Sequence, residues 1–268
     1  MKTDTIYCGE CSSVMREHIP DNSIDLTVTS PPYDNLRKYK GFVFPFEEIA
    51  QELYRVTKVG GVVVWVVKDA TIKGSETGTS FRQALYFKEV GFNLHDTMIY
   101  HAVGPYPANV RYWHSFEYMF VFSKYSVRVF NPLLQEKQNF KNRANATFRS
   151  TQGTTAMLDN KGVVRLLRAN ANTHRVKDNI WYIPSGYKNT TKDAFAFAHP
   201  AVFPEKLAED HILSWSNEGD TVFDPMCGSG TTLKMAQKHN RRYIGIDIAQ
   251  EYVDLAHKRV SIALESNL

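Results

Sequence analysis

Short apolar runs and amphipathic stretches alternate along the chain, which is α/β grammar. Ser23–Thr29 reads as a strand that feeds into Ser30-Pro31-Pro32-Tyr33, where two prolines end regular structure at a rigid corner. A helical pattern runs from about Phe46 to Val56 and closes at Gly60-Gly61. It is followed by Val62–Val67, a β-branched run of the kind that parallel sheets bury on both faces. Residues 80–90 have helical spacing, and Asn93–His101 and Glu117–Ser123 read as further strands. After a polar stretch of weak periodicity the alternation resumes with helix Glu205–Ser216, strand Thr221–Phe223, helix Thr231–His239, strand Tyr243–Ile246 and helix Gln250–Leu264. No internal repeat interrupts this order.

At 268 residues, with 43% hydrophobic and 22% charged, the chain has the composition of a globular protein, with one α/β-sized core and room for an insertion. The longest aliphatic or aromatic run, Val62–Val67, is far below the roughly 20 residues needed to span a bilayer. The opening Met1-Lys2-Thr3-Asp4-Thr5 lacks a secretory pattern, and three cysteines are too few for a disulfide scaffold, so a cytoplasmic location is expected. Charge is unevenly spread. Residues 125–192 hold twelve Lys and Arg against three acids, Glu136, Asp159 and Asp178, a net of +9 that leaves −5 on the other 200 residues. Phe140, Phe148, His174, Trp181 and Tyr182 are interleaved with these cations, a pattern that suits a polyanion.

Two segments carry chemistry. Phe223-Asp224-Pro225-Met226-Cys227-Gly228-Ser229-Gly230-Thr231-Thr232 is a strand end, a glycine loop and a helix start, the arrangement that lets backbone approach a nucleotide-like ligand. The phosphate-loop register is absent, because the nearest lysine, Lys234, lies beyond the threonines, and the third glycine of a dinucleotide fingerprint is missing. Asp247 ends the next strand 23 positions after Asp224, the separation at which an acid accepts from ribose hydroxyls in doubly wound folds. In Ser30-Pro31-Pro32-Tyr33, the prolines hold the Ser30 and Pro31 carbonyls in fixed directions beside an aromatic plane. Such a corner can hold the exocyclic amine of a base. Cys8-x-x-Cys11 has no second pair to complete a metal shell, so no metal is expected.

In this order the segments resemble the S-adenosylmethionine-dependent DNA amino-methyltransferases that place the catalytic motif first and the cofactor loop last. The resemblance spans nearly the whole chain. Thr29-Ser30-Pro31-Pro32-Tyr33 resembles their catalytic motif, Asp224 to Thr232 their cofactor loop and Gly245-Ile246-Asp247 their ribose strand. His199 to Leu207 is similar to the segment closing over the methionine end, and Tyr7-Cys8-Gly9-Glu10 to the adenine-side segment. The resemblance implies a Rossmann-like methyltransferase fold, with a mainly parallel doubly wound sheet and an inserted target-recognition lobe. It divides the chain into a catalytic half (1–124), the lobe (125–192) and a cofactor-binding half (193–268).

By the same resemblance, Ser30, Pro31, Pro32 and Tyr33 are catalytic. Asp224 holds the α-amino group of S-adenosylmethionine, and Pro225, Gly228, Gly230 and Thr231 line its methionine portion. Asp247 holds the ribose, and Glu10 and Ile248 the adenine. Phe203 stands where many adenine-methylating relatives have lysine, which makes Lys206 the candidate carboxylate partner. Ser30, where adenine-directed relatives more often have Asp, and His-Pro-Ala-x-Phe-Pro, which is similar to the cytosine-directed branch, favour the N4 amine of cytosine over the N6 amine of adenine. Asn142, Arg143, Arg165 and Arg168 are candidates for base edges in double-stranded DNA. A cognate restriction endonuclease is a candidate partner, no membrane is involved, and the protein is expected to be a monomer or homodimer. The rival from another class is a non-catalytic cofactor-binding module that recognises DNA.

Overall fold

The computed structural model describes residues 1–32, 44–106, 110–136, 154–158, 164–168, 174–186 and 188–265. They form two compact units, Met1–Asn131 with Asp178–Leu268, and Pro132–Lys177. The larger unit begins with β1 (Thr5–Cys8), α1 (Cys11–His18), β2 (Ile24–Thr29), α2 (Phe46–Val56) and β3 (Thr57–Val67). A small hairpin, β4 (Thr71–Ile72) and β5 (Ser75–Glu76), precedes α3 (Thr79–Val90), β6 (Asn93–Tyr106) and β7 (His114–Ser123). The smaller unit holds β8 (Leu134–Glu136), β9 (Thr154–Leu158), β10 (Val164–Arg168) and β11 (His174–Val176), paired antiparallel as β8 with β11 and β9 with β10. The larger unit resumes with β12 (Ile180–Pro184), α4 (Glu205–Trp215), β13 (Thr221–Asp224), α5 (Thr231–Lys238), β14 (Arg242–Asp247) and α6 (Gln250–Glu265).

Eight strands make one sheet in the order β1-β14-β13-β2-β3-β7-β6-β12. β7 runs against both neighbours and the other strands run parallel, so the sheet is mainly parallel, with helices on both faces. Successive residues of β3 face opposite sides, and both sides are buried. Val63, Trp65 and Val67 join Met15 of α1, Ile49 and Leu53 of α2 and Phe87 of α3 in one core. On the other face α4 packs through His211, whose Nε2 lies 3.2 Å from Met119 Sδ of β7. α5 packs there through Thr232, whose hydroxyl donates to the Val28 carbonyl of β2 (3.1 Å). Among the described residues no helix is long and apolar enough to cross a membrane.

The periodicity placed most helices and strands of the larger unit, and it did not mark the β4–β5 hairpin or β8 to β11. Gly60-Gly61 does not close α2: the helix stops at Val56, and β3 starts at Thr57 and runs through both glycines. Gly60 has φ +80, a conformation glycine adopts without strain, and the pairing of β2 with β3 slips there between Ile24 and Leu26. The pairing of β12 with β6 brings Ile180–Pro184 into the main sheet, so the basic stretch 125–192 does not coincide with the compact unit Pro132–Lys177. β1 and α1 carry no long periodic run, and periodicity did not mark them.

Trp65 is fully buried in the core; its indole donates to Gln83 Oε1 at 2.9 Å and its ring stands 5.1 Å from that of Phe87. Replacing it with alanine opens a cavity and strands the Gln83 amide. Trp65→Ala should lower stability by about 3–5 kcal/mol, measured as a shift in the urea midpoint. A loss below about 1 kcal/mol would contradict this packing.

Candidate active site

Four neighbouring parallel strands, β1, β14, β13 and β2, end along one edge of the sheet, and Glu10, Asp247, Asp224 and Ser30 lie at or just beyond those ends. Cys8 lies opposite Asp247 and Asp224 opposite Gly245 in the register. Phe223 lies opposite Thr27, so Thr29 and the Ser30 corner emerge beside Asp224. Crevices at the carboxyl ends of strands in such sheets are where ligands bind. Segments about 200 residues apart in the chain therefore meet. The buried Thr29 hydroxyl donates to Asp224 Oδ1 at 2.8 Å across a separation of 195 positions.

Asp224 is 5% exposed and also accepts from the Met226 N–H (3.1 Å). Burial, resisted by these neutral donors, raises its pKa from 3.8 to about 6. A buried acid satisfied only by neutral donors retains affinity for a cation. Asp247 accepts from the Gly228 N–H through Oδ2 (2.9 Å) and from the Ala249 N–H through Oδ1 (3.0 Å), and burial raises its pKa too. Each of its oxygens keeps a lone pair for a hydroxyl donor. Glu10 caps α1, taking the Ser12 and Ser13 N–H groups at 2.9 Å each. Burial would lift its pKa, but the Ser12 and Ser13 hydrogen bonds outweigh it and bring it to about 2. Ile248 is exposed beside Asp247, at 39%.

The loop needs its glycines. Gly228 and Gly230 have φ +49 and +77, and a Cβ on either would lie 2.8 Å from His199 Nε2 or 2.6 Å from Ala256 Cβ respectively. His199 thus packs against the loop and edge-on to Tyr252 of α6, with ring centroids 4.4 Å apart. Pro225 is buried at the head of the loop, and Phe203 is partly buried in the 199–204 segment. The Thr231 hydroxyl accepts from Arg259 at 2.7 Å, facing inward, and Lys206 pairs with Asp210 on its own helix at 2.6 Å. Lys234 is held by Asp193 (2.7 Å) and Glu205 (2.8 Å), unlike a phosphate-binding lysine. Burial, with Glu10 beside it, pushes the Cys11 thiol up to about 12, and burial likewise raises Cys227, so both are packed neutral groups.

Ser30, Pro31 and Pro32 follow β2 directly, with Pro31 buried and Ser30 and Pro32 partly exposed, while Tyr33 lies outside the described residues. Asn142 and Arg143 lie outside them as well. Arg165 and Arg168 belong to β10 of the smaller unit, opposite Met157 and Thr154 in the register. Sequence reasoning missed Arg259, which is fully buried beneath the glycine loop. Its signal was legible: it stands in the helix stripe marked by the buried Val253, Ala256, Val260 and Ala263, where a charge needs partners.

Residues 24–258 match a family model described as DNA methylase. A protein of Bacillus amyloliquefaciens, orphan methyltransferase M.BamHII, is 57% identical over 247 residues, covering 92% of each chain. Type II methyltransferase M.BglII of Bacillus subtilis is 28% identical, over 96% of this chain and 68% of its own. Among solved structures, the cytosine-N4-specific PvuII DNA methyltransferase superposes with a TM-score of 0.69 at 21% identity, over 97% of this chain and 86% of its own. TTHA0409 of Thermus thermophilus, solved in complex with S-adenosyl-L-methionine, superposes with a TM-score of 0.65 at 24% identity, over 96% and 93%. At these identities the two structures speak for the Rossmann-like fold.

The raised pKa of Asp224 has a sign that can be measured. Its folded value lies above its unfolded one, so its contribution to stability is present below pH 4 and is lost as pH rises through about 6. Relative to Asp224→Asn, the wild type should lose on the order of 2–3 kcal/mol between pH 4 and 7, read from urea unfolding at each pH. A pH-independent difference would show that Asp224 titrates normally.

Proposed function

The chain belongs to the DNA methylase family, and from that premise we propose that it transfers a methyl group from S-adenosylmethionine to the exocyclic N4 amine of cytosine at a specific site in duplex DNA. The observation that carries the reading is the Thr29–Asp224 hydrogen bond, which ties the corner suited to an amine to the loop suited to a nucleoside-like ligand. The residues fit the donor. Asp224, buried among neutral donors, suits its α-ammonium, and the Gly228–Gly230 backbone can approach closely because no Cβ intervenes. Pro225 and Phe203 flank the same portion, and Thr231 shapes it from within, since its hydroxyl is turned to Arg259. Asp247 retains acceptor capacity for ribose hydroxyls, and Glu10 and Ile248 stand on the adenine side. When bound, this cofactor supplies an electrophilic methyl group on a sulfonium.

The protein's own contribution is to position the base. A target stacked in a duplex must be rotated out, at a cost of a few kcal/mol, of which stacking on Tyr33 would return about 1–3 kcal/mol. The Ser30 side chain and the Pro31 carbonyl would accept the amine hydrogens and keep the nitrogen lone pair aimed at the methyl carbon. Residues 125–192 serve as the target-recognition segment in this reading, with Asn142, Arg143, Arg165 and Arg168 at base edges or phosphates. Ser30 rather than Asp, and His199-Pro200-Ala201-Val202-Phe203-Pro204, support cytosine N4.

Nucleoside mass spectrometry on DNA from cells expressing the protein tests this directly. N4-methylcytosine is the expected product. N6-methyladenine alone would refute the choice of base, and unmodified DNA from a protein that binds donor and DNA would favour a non-catalytic recognition module. In vitro, Ser30→Ala should lower kcat roughly 10²-fold with the KM for the methyl donor unchanged.

A further inference from the structure

Behind the glycine loop lies a buried charge cluster with no counterpart in the proposed chemistry. Arg259 of α6 is 0% exposed. Its Nη1 donates to the Ser229 carbonyl (3.1 Å), to Ser229 Oγ (3.0 Å) and to Thr231 Oγ1 (2.7 Å), all in the glycine loop. Its Nε and Nη2 turn the other way, to Asp193 Oδ2 (3.0 Å), Thr191 Oγ1 (3.2 Å) and Glu205 Oε1 (2.6 Å). Lys234 reaches the same Asp193 and Glu205 oxygens, so two cations meet two carboxylates.

The two carboxylates bracket one stretch of chain. Between Asp193 and Glu205 runs the segment whose His199 packs on Gly228, the position where a Cβ would collide with the imidazole. A single guanidinium therefore grips the glycine loop with one nitrogen and both ends of the facing segment with the other two. The fork has the geometry for this because its N–H groups point in fixed, divergent directions, whereas an ammonium is a point charge on a flexible stem.

We propose that Arg259 is a positioning residue of the methyl-donor site, setting the spacing between the glycine loop and the 193–205 segment so that the donor's methionine end has a preformed bed. The inference rests on reading the glycine loop as the donor site. Arg259 touches no reacting atom in this account, and it acts on donor affinity through Ser229, Thr231 and the His199 contact.

The test compares wild type with Arg259→Lys, which keeps the charge and loses the fork, and with Asp193→Asn, which keeps Arg259 and removes the charge of one anchor. Three readouts are needed: calorimetric binding of S-adenosylhomocysteine, hydrogen exchange of the loop amides from Gly228 to Thr231, and thermal unfolding. The expected result for Arg259→Lys is product affinity at least tenfold weaker and loop exchange at least tenfold faster. Val62–Val67 should stay protected and, in turnover, the KM for the donor should rise with kcat within about twofold. Asp193→Asn should shift the same readouts in the same direction by a smaller factor. If both variants bind S-adenosylhomocysteine as the wild type does, with unchanged loop exchange and only a lower melting temperature, Arg259 is a structural ion and the proposal is wrong. A wild type that binds no S-adenosylhomocysteine overturns the donor-site reading and this proposal together, which separates the two failures.

Discussion

A single buried hydrogen bond, from the Thr29 hydroxyl to Asp224 Oδ1 at 2.8 Å, joins the two halves of the site. Thr29 is wholly buried and Asp224 nearly so, and the bond forms where water cannot compete for either group. It exists because β13 pairs parallel with β2, one step further along the sheet from β14. That order brings a corner formed early in the chain beside a loop formed near its end. Thr232 of α5, bonded to the Val28 carbonyl at 3.1 Å, holds the same strand from the helix that the loop opens.

Around this junction the protein sorts its carboxylates into two kinds. Asp224 and Asp247 lie at the carboxyl ends of β13 and β14 and are satisfied by hydroxyl and backbone N–H donors, which leave them acceptor capacity for a cation or a hydroxyl. Asp193 and Glu205 lie behind the loop and are neutralised by Lys234 and Arg259, so they build the wall. Asp224 and Asp247 are driven upward in pKa by burial, while Asp193 is drawn downward: burial opposes ionisation there, but the bonds from Lys234 and Arg259 prevail. The same residue type is thus left with spare acceptor capacity or locked into ion pairs according to which partners the fold supplies.

Much of this was legible in the sequence where a physical constraint leaves a local mark. Two prolines after a strand, a glycine loop before a helix and an acid ending the next strand each fall where the edge of the sheet places them, because backbone geometry admits few other residues there. Long periodic segments such as α2 and β3 were readable for the same reason. β1 and α1, four and eight residues long, carry neither a long period nor a glycine loop like the one that marks β13 and α5, and α1 owes its start to the Glu10 cap. β12 lay within a basic stretch that composition marked as one block, and only pairing with β6 reveals it as a sheet strand. The Arg259 cluster was legible only in part: the helix stripe marks a charge in need of partners, but those partners, at 191, 193, 205, 229 and 231, acquire meaning only when the chain brings them together.

Through the Thr29–Asp224 hydrogen bond the Ser30 corner and the glycine loop should be energetically one unit. A double-mutant cycle with Thr29→Val and Asp224→Ala, each of which removes the hydrogen bond, read as folding free energy from urea denaturation at pH 8, measures that coupling. The double variant should depart from the sum of the single effects by about 1 kcal/mol or more, as contacting partners do. Additivity within roughly 0.3 kcal/mol, the behaviour of distant independent sites, would contradict it.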